Sequence, residues 1–176
     1  MRKMDKEIFD KATSLMTARN YVEIVAMMTE ELCLVENEVE EFQVRMWRTN
    51  AFLRMLDDAQ AVEDVRWMMD HIEVASKALK HFGQEDEKHL KEECYYILAR
   101  DEHRHKKYDE AILYYNKVVE LNPHLAVAYQ GRGAAYYAKG DMAKAQEDLM
   151  DYLRENPKAA EQLNGNFEAD GKEGCH

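Results

Sequence analysis

Residues 92–125 read EECYYILARDEHRHKKYDEAILYYNKVVELNPHL, and residues 126–159 read AVAYQGRGAAYYAKGDMAKAQEDLMDYLRENPKA. Laid over each other without a gap, they pair Tyr95 with Tyr129, Ala99 with Gly133 and Ala111 with Ala145. They also pair Glu120-Leu121-Asn122-Pro123 with Arg154-Glu155-Asn156-Pro157. A period of 34 residues marks a helix–turn–helix unit that buries its apolar face only by stacking on neighbours. Gly140-Asp141 suits the turn between two helices, and Pro123 and Pro157 follow helix carboxy ends, where a missing amide hydrogen costs little.

Working outward, residues 84–88 are polar and form the clearest linker, and no glycine or proline precedes Gly83. The first half is therefore read from periodicity and caps. Ile8, Phe9, Ala12, Leu15 and Met16 share one helical face, and Asn20 with Glu23 has capping-box spacing before Ile24, Val25, Met27, Met28 and Leu32. A turn is expected near Asn37, after which Val39, Phe42, Met46, Phe52, Leu53 and Leu56 line a third helix. Asp57 and Asp58 can cap a fourth, with Val62, Val65, Met68, Met69, Ile72, Ala75 and Leu79 at helical spacing up to Gly83. Residues 1–83 thus read as two divergent hairpins.

Composition agrees with helices: 46% hydrophobic, 34% charged, with 7 Gly and 2 Pro in 176 residues. The formal net charge of −11 argues against a nucleic-acid backbone or an anionic membrane as partner, since both want a positive footprint. Residues 1–10 lack the apolar run of a signal peptide, and no later run is apolar enough to span a bilayer, so a cytoplasmic address is expected. Cys33, Cys94 and Cys175 are an odd set without metal-ligand spacing, as expected of reduced thiols.

The paired small, aromatic and proline positions resemble the tetratricopeptide-repeat family. The resemblance implies an all-α, right-handed α-α superhelix of about four hairpins with a short carboxy-terminal capping helix. Residues 84–163 would hold two repeats, 92–125 and 126–159, plus a cap from Lys158 to Leu163, stacked with the divergent hairpins of 1–83; residues 164–176 form a tail. In the family, small side chains let paired helices approach, here Ala99, Gly133, Ala111 and Ala145, and large ones fill the space around them, here Tyr95, Leu98, Tyr108, Tyr115, Tyr129, Tyr136 and Leu149. Arg132 departs from an apolar family position and Glu102 from an aromatic one, which suggests that the two pair with each other.

By the same resemblance the first helices line a concave groove that binds a partner peptide or helix. The groove residues would be Glu93, Tyr96, Arg100, His103 and Arg104 in one repeat, and Val127, Gln130, Ala134, Tyr137 and Ala138 in the next. Arg100 and Arg104 stand one turn apart and could hold an acidic segment, or else serve only to complement the helix carboxy terminus. Tyr96, Ile97 and Gly131 replace the lysines and asparagines with which one subset of the family clamps chaperone termini.

No phosphate-cradling glycine loop, nucleophile elbow or paired histidines with a helical glutamate occurs, so no enzyme and no cofactor are expected. His103 with His105, His89 near Cys94, and Cys175-His176 all lack ligand spacing, so no metal site is expected either. The leading reading is a protein-binding adaptor. Two alternatives remain open: a helical-repeat protein that assembles with copies of itself, and a metal-responsive binder using the histidines and the Cys-His tail.

Overall fold

The computed structural model describes residues 6–80 and 87–162, and all of its regular structure is helical. In chain order the helices are α1 (Lys6–Thr17), α2 (Tyr21–Leu32), α3 (Glu38–Arg54), α4 (Asp58–Asp70), a 3₁₀ turn (Ile72–Val74), α5 (Ala75–Lys80), α6 (Glu87–Arg104), α7 (Tyr108–Leu121), α8 (Ala126–Lys139) and α9 (Met142–Glu155). Residues 157–162 add a further helical turn. The all-α class read from the sequence is the class observed. Gly83, residues 84–86 of the expected linker, Leu163 and the tail lie outside the described residues.

Two compact units divide within α6, Met1–Asp101 and Glu102–His176. In the first, Ala12, Ile24, Met28, Val44 and Ala51 form a fully buried cluster under Phe9 and Trp47, whose rings meet edge to face at 5.7 Å. Phe42, Val65, Met68, Ala75 and Leu79 extend the buried set along α3, α4 and α5. In the second, Ala111, Ile112, Tyr115, Val118, Ala128, Tyr129 and Ala135 are buried between α7, α8 and α9. Gly131 makes that packing feasible: a Cβ there would lie 2.4 Å from the Tyr115 ring. Gly133 does the same for α9, where a Cβ would stand 3.0 Å from that of Asp148.

One turn recurs at four helix-to-helix connections. Arg19, Leu56, Lys106 and Gly140 adopt left-handed backbone at φ 58, 59, 61 and 84°. Each donates its N–H to the carbonyl three residues back, and the next residue donates to the carbonyl five back, at 2.9–3.1 Å throughout. This doubly bonded helix stop satisfies two terminal carbonyls at once. Asn20, Asp57 and Asp141 then cap the following helix through side-chain oxygens, while Lys107 occupies that position without a side-chain cap. Three of the four left-handed positions carry side chains, which is why only Gly140 was visible as a stop in the sequence. Leu56 is accordingly not part of the apolar face of α3, as expected from its spacing; it sits in the turn at 91% exposure.

The fourth helix also departs from expectation, breaking at His71 and resuming as α5. His71 holds φ −117°, its ring stacks on Trp67 at 4.0 Å, and its Nδ1 lies 2.9 Å from the Trp67 carbonyl oxygen. The same carbonyl also accepts the His71 backbone N–H at 3.1 Å. The caps at Asn20, Asn37 and Asp57 fall where the polar spacing placed them.

Candidate partner-binding surface

The α3/α4 and α8/α9 hairpins share more than a turn. A constant shift of 84 residues carries Leu56 and Asp57 onto Gly140 and Asp141, and Arg48 and Asp64 onto Arg132 and Asp148. In the first hairpin Arg48 donates to both carboxylate oxygens of the fully buried Asp64, at 2.7 and 2.6 Å, and Nη1 reaches Thr29 of α2 at 3.2 Å. In the second, Arg132 donates to Asp148, 3% exposed, at 2.6–3.2 Å, and Nη1 reaches Asn116 of α7 at 2.8 Å. Each guanidinium therefore ties the two helices of its hairpin to the last helix of the preceding one. The carboxylates hold both guanidinium pKa values above the ordinary arginine value by hydrogen bonding, against the opposing effect of burial. Arg45 adds a second cation on Asp64 at 2.7 Å and lies over Trp67.

This arrangement corrects the expected pairing of Arg132 with Glu102. Arg132 spends its donors on Asp148 and Asn116, and Glu102 forms its ion pair with Lys107 at 3.4 Å. The partner was missed because Asp148 looks like one more surface acid on α9; the signal was its spacing of 16 residues from Arg132, repeated by Arg48 and Asp64.

Of the expected groove residues, Glu93, Tyr96, Arg100, His103 and Arg104 lie on α6, and Val127, Gln130, Ala134, Tyr137 and Ala138 on α8; all are exposed or half-buried. The Arg100 guanidinium lies 5.8 Å from the centre of the Tyr96 ring. The His103 ring abuts Tyr108 edge-on at 5.4 Å, with its Nε2 buried and without a hydrogen-bond partner.

Gln130, Ala134 and Tyr137 come together with Gly133 on one wall of a cavity of about 380 Å³. Met142, Ala145, Leu149 and Tyr152 of α9 supply the opposite wall. Tyr137, Met142 and Leu149 are 65, 55 and 48% exposed, so Leu149 does not fill interior space as its family position implied. It belongs to the last hairpin of the described chain, and no described residue beyond Tyr152 lines that cavity.

The same groove exists on α3/α4. Met46, Thr49, Asn50 and Leu53 of α3 and Met68 of α4 line a cavity of about 340 Å³, and the 84-residue shift maps them onto Gln130, Gly133, Ala134, Tyr137 and Tyr152. Here the facing wall is α6, through His89, Leu90, Glu93, Cys94 and Ile97. Burial pushes the Cys94 thiol up to about 12, so it stays protonated and unreactive. Among the described residues no group of three or more His, Cys, Asp or Glu could hold a metal ion, and no helix is long and apolar enough to cross a membrane.

Comparison with known proteins agrees with the repeat. Residues 100–140 match a family model described as TPR repeat, and residues 126–158 one described as tetratricopeptide repeat. No curated protein matches the chain. Solved structures similar to it include one of MamA at 20% identity, covering 91% of this chain and 99% of that one with a TM-score of 0.49. A second MamA structure gives 19%, 86%, 91% and 0.49. YrrB, described as a TPR protein with an unusual peptide-binding site, gives 17%, 88%, 88% and 0.43. With two family models matching in succession over residues 100–158, the chain is a tetratricopeptide-repeat protein through that part of its length.

Proposed function

We propose that this chain is a non-catalytic adaptor that holds a partner protein against the exposed residues of α8. The observation that carries the reading is the exposed apolar wall on α8, where Gln130, Ala134 and Tyr137 line one cavity with the small Gly133 between them. Apolar surface of this kind left in water is what interaction surfaces present. Arg100 and Arg104, one turn apart on α6, supply a second element: two guanidinium groups able to take a carboxylate-bearing stretch of the partner. The −11 charge of the whole chain disfavours nucleic acid and anionic lipid, and a cytoplasmic address belongs to the same proposal.

The test is affinity capture from native extract with the wild-type chain, with Arg100→Glu/Arg104→Glu, and with Tyr137→Ala, read by quantitative mass spectrometry. At least one partner should fall about fivefold or more with each variant at unchanged helicity, the loss expected when an interfacial anchor is removed. Identical captured sets for all three chains reject the proposal.

A further inference from the structure

Two equivalent grooves on one chain meet different fates. On α3/α4 the groove is faced by α6, which presents Leu90, Cys94 and Ile97, all buried, at the i, i+4, i+7 spacing of a single helical face. On α8/α9 the residues 84 positions further on form the same groove, with Tyr137, Met142 and Leu149 left in water.

We infer that the α8/α9 groove is a docking site for an amphipathic helix of a partner protein, one presenting apolar side chains at i, i+4 and i+7 in the manner of α6. This rests on the adaptor reading and names the class of partner. Three observations select the occupant. The first is the internal precedent: the equivalent groove on α3/α4 has a helix, α6, for its facing wall. The second is that the chain's own next helical turn, residues 157–162, contributes nothing to the walls of the cavity. The third is charge: two copies at −11 each repel, whereas a neutral or basic partner helix does not.

The pocket walls set what the helix must carry. Ala134 is smaller than Asn50 at the equivalent position of α3, and Tyr137 and Tyr152 replace Leu53 and Met68 with rings that stack on aliphatic or aromatic residues. The open groove therefore suits a larger central residue than Cys94.

A fluorescein-labelled peptide copying residues 87–101, with Cys94→Leu, serves as the probe. It should bind the full chain and shift amide resonances of Tyr137, Ala145 and Leu149, and Leu149→Lys should weaken it about tenfold at unchanged circular dichroism. A peptide carrying Leu90→Asp and Ile97→Asp should not bind. Absence of shifts on α8 and α9 up to about 1 mM peptide overturns the inference. So does binding only after the chain is shortened behind Gln162, which assigns the groove to its own tail. A dimer in light scattering that Leu149→Lys dissolves also overturns it, in favour of a second copy. Failure of the adaptor reading looks different: the peptide binds the groove, yet native extract yields no partner.

Discussion

The α3/α4 and α8/α9 hairpins follow one plan of turn, cap and buried arginine–aspartate pair, and differ in what lies against their apolar groove. On α3/α4 the equivalent of Leu149 is Val65, with no solvent exposure, and α6 forms the facing wall of the cavity; on α8/α9 Leu149 is nearly half exposed. The difference separates two jobs that side chains at repeat positions perform. The arginine–aspartate pair belongs to the hairpin itself and is present whether or not the groove is covered. The apolar position is buried in one hairpin and left in water in the other.

Removing the acid of each pair should break both hairpins alike and by the largest amount. Asp64→Ala and Asp148→Ala each strand a guanidinium in a site that water reaches poorly, a change that costs about 3–5 kcal/mol where a buried pair is broken. Asp64 holds two arginines and should cost more. Urea unfolding followed by circular dichroism checks this, and an Asp148→Ala chain with an unchanged midpoint would mean that the second pair is a surface contact.

The groove positions should behave oppositely in the two hairpins. Val65→Ala removes two buried methyl groups and should cost about 2 kcal/mol, whereas Leu149→Ala should cost about 0.5 kcal/mol or less in the isolated chain. Equal losses would show that something already covers Leu149.

Effects of about 1 kcal/mol and of opposite sign lie in the turns, where the two hairpins differ by one side chain. Leu56→Gly should stabilise by about 1 kcal/mol, since it relieves a left-handed leucine that packs on nothing, and Gly140→Ala should destabilise by a similar amount. Thermal melts of the two variants, moving in opposite directions, would establish that the turns are equivalent.

Much of this was legible before any coordinates. The carboxy-terminal repeat announced itself through Gly140, Pro123 and Pro157, residues whose backbone demands restrict where they sit. Asn20, Asn37 and Asp57 marked helix starts because a short side-chain oxygen is chemically specific for that place. The turn shared by the amino-terminal hairpins was hidden because it resides in backbone conformation: Arg19 and Leu56 adopt the left-handed region of Gly140 without its composition. The break at His71 left no trace, since a ring bonding to the carbonyl of Trp67 has no periodicity to read. Of the residues lining the α8/α9 cavity, Gln130, Ala134 and Tyr137 were named through resemblance, but the α9 wall was not, because Met142 and Leu149 look like ordinary core.

The reach of the two arginines has a consequence for how the molecule can be cut. Because Arg48 spans α2, α3 and α4, and Arg132 spans α7, α8 and α9, the smallest piece that keeps either arginine with all its partners is one and a half hairpins. Scissors placed at the sequence period, between Leu125 and Ala126, would sever a guanidinium from its third ligand, while a cut ahead of α7 would keep it. Fragments of this protein should therefore be designed around three helices, out of phase with the repeat that its sequence advertises.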